Sequence, residues 1–349
     1  MSMEWPVRAE WLAQVSEAPI EPDLPIIDAH HHLWKLPHET YLLPELLADL
    51  HPVGGGHNIV ATVFAECGAM YRTAGPPELR SVGEVEFANG VAAQSASGAF
   101  GPSRACAAIF GSVDLMLGGE AGRVMDAHIA RAPDRYRGVR PIVAADPQGV
   151  LDPWPNAPEA MMASAAFRAG ARELARRGLS LDIWVFHHQL GQVAALAATI
   201  PDLTIILDHI GTPLGVGYYA DRRAEVFADW RSGLAQVAAC PNVVVKLGGL
   251  NMHFNGFGWN QRARPPTSDE LAAANGPYYR AAIDLFGPDR CLFESNFPMD
   301  KRACGYGVLW NAHKKLAQGF SAAEKALMFH DVAARTYRIA DDPAAGPVA

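Results

Sequence analysis

Eight short runs rich in β-branched residues recur along this chain, and the stretches between them are long enough for helices. The runs are Pro25–His30, Asn58–Glu66, Ala105–Val113, Tyr136–Val143, Leu181–His187, Leu203–His209, Val243–Leu247 and Cys291–Ser295. Segments between and after them, such as Pro158–Gly178, Ala220–Ala239, Ser268–Phe286 and Ser321–Ile339, carry apolar residues at helical spacing on otherwise polar faces. Repeated strand and helix units read as a parallel sheet, and eight of them favour closure into a barrel over an open sheet. The predicted fold is therefore α/β, a single (β/α)8 TIM barrel over residues 24–340, with an N-terminal extension at 1–23 and a tail at 341–349. Four long connections, Leu33–His57, Asp146–Pro158, Gly211–Tyr219 and Asn251–Thr267, follow predicted strands and so belong at the barrel's C-terminal face.

The 349 residues, half of them hydrophobic and 19% charged, suffice for a large core. Against 37 acidic residues stand 29 Lys and Arg, a net charge of −8, which argues against a general binder of nucleic-acid backbones. The N-terminus lacks a signal-peptide pattern, and no stretch nears the ~20 apolar residues of a membrane span. A cytoplasmic protein with no membrane or nucleic-acid partner is expected. The five cysteines are odd in number, widely spaced and without a C-x-x-C pair, so they read as free thiols.

The sharpest local signal is Asp28-Ala29-His30-His31-His32 at the end of the first run. Residues i and i+2 share a strand face with ~6.6 Å of rise between them, so His30 and His32 point to the barrel axis and His31 points away. That spacing lets two imidazoles grip one ion or one substrate oxygen. The fifth run ends in His187-His188-Gln189, the sixth in Asp208-His209 and the eighth in Glu294-Ser295-Asn296. A barrel brings all these ends to one face. His187 shares parity with Ile183 and Val185 and is the inward member of its pair; Glu294 and Asp28 lie one layer below Asn296 and His30, placed either to orient an imidazole or to bond core backbone.

This ordered set (D-x-H-x-H, W-x-x-x-H-x-Q-L, L-D-H-x-G and S-N-F-P) resembles the amidohydrolase superfamily from about Leu24 to Ile339. It is most similar to the amidohydrolase family 2 branch, which includes sugar-lactone and 2-pyrone-4,6-dicarboxylate lactonases. The resemblance implies a histidine-lined, divalent-metal site that polarises a carbonyl for hydrolysis of a lactone, ester or amide. By motif position the metal ligands fall on His30, His32, His187 and His209, with Glu66 a further candidate, and the metal is zinc or, in its place, manganese. The branch usually carries an aspartate in its last motif, as ligand and general base; here that position is Asn296, an amide with no basic carboxylate. Two chemistries stay open: a metal held by histidines with Asp300 or Glu66 moving the proton, or a metal-free cage of histidines and Asn296.

Arg140 matches the branch's G-x-R pattern, in which an arginine faces substrate, and a guanidinium there suits a carboxylate. The alternative is a structural salt bridge. His253 and Trp259 in the last long loop are candidates for covering the substrate. The expected activity is hydrolysis of a small, acidic cyclic ester. Non-oxidative decarboxylation of an aromatic acid is the alternative, and a non-catalytic binder a third. Homo-oligomerisation is left open.

Overall fold

The computed structural model describes residues 6–150 and 156–340. Residues 1–5 of the N-terminal extension, residues 151–155 of the second long loop and the 341–349 tail lie outside it. The barrel strands are β1 (Ile26–His31), β2 (Ile59–Ala65), β3 (Arg104–Gly111), β4 (Tyr136–Val139), β5 (Ser180–Ile183), β6 (Ile205–Leu207), β7 (Val243–Leu247) and β8 (Cys291–Phe293). They form one eight-stranded sheet, paired in parallel in chain order. Its two ends meet just past β8. Asn296 N donates to His30 O at 2.9 Å and His32 N to Phe297 O at 2.8 Å, so the eight parallel strands make a nearly closed (β/α)8 barrel.

Helices fill the seven crossovers, α1 (Leu43–Leu50), α2 (Val82–Ala96), α3 (Ala121–Ile129), α4 (Ala165–Arg176), α5 (Leu190–Thr199), α6 (Arg223–Ala238) and α7 (Ser268–Phe286), and α8 (Tyr306–Leu316) follows the last strand. Their starts follow from sequence. Ser164 Oγ caps α4 by accepting from Phe167 N at 3.2 Å, and a reciprocal Thr267–Glu270 box opens α7. The α4 stripe Phe167, Gly170, Ala171 and Leu174 is buried against the sheet, each large apolar side chain contributing about 1.5–3 kcal/mol. Inside the barrel the strands supply mostly small or β-branched residues, Ile27, Ala29, Ala61, Val63, Ala108 and Ile206, joined by Val332, Ala333 and Tyr337 of the C-terminal helical segment. No helix among the described residues is long and apolar enough to cross a membrane.

All eight expected strands are present, but several are shorter at their C-terminal ends. Strand β5 stops at Ile183, and β6 stops at Leu207 where Asp208–Gly211 winds into a tight turn. His209 (φ 52°) and Ile210 (φ 49°) both sit in the left-handed region there. That conformation is sterically costly for non-glycine residues and concentrates at functional sites.

Candidate active site

A cavity of about 630 Å³ opens at the C-terminal ends of the strands, with His32, Glu66, Arg140, His209 and Asn296 among its polar lining residues. His30 lies fully buried beneath it. His30 Nε2 and His32 Nε2 are 3.2 Å apart, the inward pair that the strand alternation predicts. His31 points away and bonds Thr62 Oγ1 at 2.8 Å.

The hydrogen bonds around this pair fix its protons. Lys246, next to the C-terminal end of β7, is fully buried, and its Nζ lies 3.0 Å from His30 Nδ1, 2.8 Å from Asp182 Oδ1 and 2.9 Å from Asp208 Oδ1. An ammonium only donates, so His30 Nδ1 accepts and His30 Nε2 carries the proton toward His32 Nε2. His32 Nδ1 then donates to Ala65 O at 3.0 Å. Burial, reinforced by Lys246 at His30 and by Arg140 at His32, holds both imidazoles well below the usual histidine range, so both are neutral at pH 7. Burial opposes charge on Lys246 too, but the Asp182 and Asp208 carboxylates outweigh it and keep the ammonium protonated.

His209 is held differently. Its Nδ1 donates to Glu294 Oε1 at 2.6 Å, which leaves Nε2 unpartnered among the described residues. Two glycines after β7 make room for this pair. A Cβ at Gly249 would run into the His209 ring, and one at Gly248 into the Glu294 side chain. Glu294 Oε2 lies 3.3 Å from His30 Nδ1 but makes no hydrogen bond, as expected if that nitrogen already accepts from Lys246. Asp28, the other deep carboxylate, bonds Ser295 N at 2.8 Å and Tyr306 OH at 2.8 Å, and so ties β1 to the end of β8 and to α8.

Arg140 spans two acids, with Nε 2.8 Å from Asp208 Oδ2 and Nη1 2.9 Å from Glu66 Oε1. Burial pushes the Asp208 carboxyl up, but Lys246 and Arg140 together bring it below the usual range. Arg140 thus makes the salt bridges of its structural alternative while still lining the cavity, and its Nη2 has no hydrogen-bond partner among the described residues. Asn296, in a left-handed conformation at φ 55°, donates from Nδ2 to Asp300 Oδ1 at 3.0 Å. Its Oδ1 is buried and unpartnered. Asp300 lies behind it, fully buried; desolvation, partly opposed by His209 and by bonds from Asn296 and Asn251, raises its carboxyl to about 7.

The structure does not bring three other candidates to this floor. Strand β5 ends four residues before His187, so strand parity no longer governs it. His187 begins a short helical turn and packs its ring edge-on against Tyr219, 5.2 Å between centroids. The residue just past β5, Trp184, lines the cavity instead. His253 is exposed and lines a separate cavity of about 550 Å³, while its neighbours Met252 and Phe254 line the main one. Trp259 packs in the core beside Phe257, with Arg262 over its ring at 4.1 Å. The sequence reading gave no role to Lys246, Asp182 or Asp208. The available signal was a charge inside a run such as Val243-Val-Val-Lys-Leu247. A barrel strand is buried on both faces, so such a charge must find its partner inside.

His30, Asp208 and His209 each present one ligand atom within 4.8 Å of the others, a group able to hold a metal ion. Comparison with known proteins agrees with this architecture. Residues 27–339 match the family described as Amidohydrolase. The uncharacterized protein y4mH of Sinorhizobium fredii is 32% identical over 339 residues, 91% of this chain and 99% of that protein. An L-fucono-1,5-lactonase of Burkholderia multivorans is 31% identical over 181 residues, 52% of this chain and 58% of that enzyme. The crystal structure of an amidohydrolase from Burkholderia multivorans with bound zinc superposes with a TM-score of 0.69 at 25% identity, covering 90% of this chain and 99% of that one.

Proposed function

Because this chain belongs to the amidohydrolase family, we propose that it hydrolyses a small cyclic ester bound in the cavity above His30, His32 and His209. The observation that carries this reading is the His209–Glu294 pair. With Nδ1 committed to Glu294 at 2.6 Å, His209 presents a free Nε2 beside a cavity of 630 Å³, large enough for a substrate ring and a water. In this reading His209 Nε2 takes the proton as water adds to the ester carbonyl, and Glu294 stabilises the imidazolium. The proton then passes to the ring oxygen as its bond to the carbonyl carbon breaks, giving a hydroxy acid. Arg140, through Nη2, receives the developing oxyanion or a substrate carboxylate.

A divalent ion fits these residues. His30, His209 and the Asp208 carboxylate are nitrogen and oxygen donors that would suit zinc or manganese, His209 Nε2 then serving as a ligand in place of its role as base. Binding an ion through His30 Nε2 would require its proton to move to Nδ1, so the Lys246 ammonium, 3.0 Å from that nitrogen, would have to turn to its carboxylate partners while the unpartnered Glu294 Oε2, 3.3 Å away, accepts the proton. When bound, such an ion would polarise the ester carbonyl and acidify water.

The test is acid release from a lactone panel by the purified protein, with its metal content measured and a chelator added. His30→Ala and His32→Ala are each expected to abolish turnover while leaving circular dichroism unchanged. Near-full activity in either would remove the site assignment. Carbon dioxide from an aromatic acid, with no lactone opened, would replace hydrolysis with decarboxylation.

A further inference from the structure

We propose that the substrate ring, or the arm it carries, is apolar, and that this site disfavours polyhydroxylated lactones; the inference rests on the hydrolase reading above. It comes from the cavity wall rather than its floor. Trp34, Tyr71, Ile142, Trp184, Met252 and Phe254 form much of that wall. The indole N–H groups of its two tryptophans are already used. Trp34 Nε1 donates to Glu39 at 2.9 Å and Trp184 Nε1 donates to Thr212 Oγ1 at 3.0 Å, while the Tyr71 hydroxyl accepts from Ser112 and keeps its own proton. These six residues therefore offer a ligand mainly apolar surface and ring faces, with the Tyr71 hydroxyl their one side-chain donor still available.

The backbone along one side is committed as well. Cys67 N and Ala69 N, at the cavity edge, both donate to Glu84 Oε1, at 2.9 and 2.8 Å. His209 Nε2, Arg140 Nη2, Asn296 Oδ1 and Glu66 Oε2, side-chain atoms with no partner among the described residues, belong to the floor, where the reacting carbonyl would sit, and Lys35 adds an ammonium at the exposed rim. A sugar lactone would carry several hydroxyls up this wall and leave them unpaired on burial, each at a cost. An aryl or alkyl group would instead cover the aromatic faces. At the rim Ile142 is 57% exposed, an apolar surface that such a group would bury.

The experiment compares kcat/KM of the wild-type protein for dihydrocoumarin and δ-decanolactone with that for glucono-δ-lactone. The apolar pair is expected to be favoured by about tenfold or more, the scale on which an apolar pocket discriminates. Equal efficiencies, or a preference for the sugar lactone, would overturn the proposal. If no lactone is hydrolysed, the hydrolase reading fails by itself, and binding then decides the wall chemistry. Quenching of tryptophan fluorescence should report tighter binding of the lactam analogue of dihydrocoumarin than of glucono-δ-lactam. The reverse order, or no binding of either lactam, overturns it.

Discussion

Lys246 Nζ lies 3.0 Å from His30 Nδ1, and this contact sets the direction of every proton in the His30–His32 pair. The same ammonium meets Asp182 and Asp208 with no solvent access. Lys246→Met would leave buried Asp182 without its cation and Asp208 with Arg140 alone, so unfolding free energy should fall by about 3–5 kcal/mol, the scale for breaking a buried pair. Urea denaturation measures it, and adding Asp182→Asn to the variant should restore part of the loss. A change under about 1 kcal/mol would mean that the acids are not charged together in the folded protein.

Arg140→Lys keeps a charge but cannot span Glu66 and Asp208 while presenting Nη2 to the cavity. Efficiency toward an acidic lactone should drop by about tenfold or more, equivalent to ~1.4 kcal/mol. Parallel kinetics on a neutral lactone separate the two roles. An equal loss on both substrates assigns Arg140 to holding its two acids in place, whereas a loss confined to the acidic one assigns it to substrate.

Asn296→Asp replaces the amide that now bonds Asp300 at 3.0 Å. An anionic oxygen binds zinc better than a neutral one, so competition with a chromogenic chelator should show zinc affinity raised by about tenfold. The metal-free variant should also unfold more easily, by about 1–3 kcal/mol, because a donor to buried Asp300 is lost. Unaltered or weaker zinc affinity would remove Asn296 from the ion's surroundings.

Glu84 predicts a pH dependence. Burial and the nearby Glu66 push its carboxyl up to about 8, with Oε1 accepting two backbone amides and Oε2 unpartnered. As pH rises above the ordinary carboxylate value, the unfolded chain ionises while folded Glu84 keeps its proton until about 8. Its contribution to stability is therefore full in acid and falls across that interval. Glu84→Gln preserves the acceptor and removes the titration, so denaturation midpoints at pH 5 and pH 8 should differ less in the variant than in wild type. Identical pH profiles would show that Glu84 does not hold its proton in the folded state.

How much was legible in the sequence depends on how far the extended backbone ran. His30 and His32 were readable because the i, i+2 relation holds at the end of β1, even though its pairing with β2 shifts register between Asp28 and His31. Glu294 was readable as a residue below Asn296, but its two-imidazole contact depends on β6 and β1 meeting β8 in space. His187 failed the same parity rule because β5 ends at Ile183. His253 and Trp259 lie in a loop of short helical turns, where no period tells inside from outside. Lys246 left a trace, one charge in an apolar strand, but its partners come from β5 and the turn after β6, a pairing that only the closed barrel creates.

The seam of the barrel carries a further consequence. The bonds that join its two ends, Asn296 N to His30 O and His32 N to Phe297 O, use the backbone of three residues that line or underlie the cavity. No sheet opened at that seam can hold the His30–Asn296 arrangement, so the population that carries the proposed site cannot exceed the closed population. Amide hydrogen exchange at His32 and Asn296 thus reports, in one measurement, both how often the barrel unzips and how often the chemistry is dismantled.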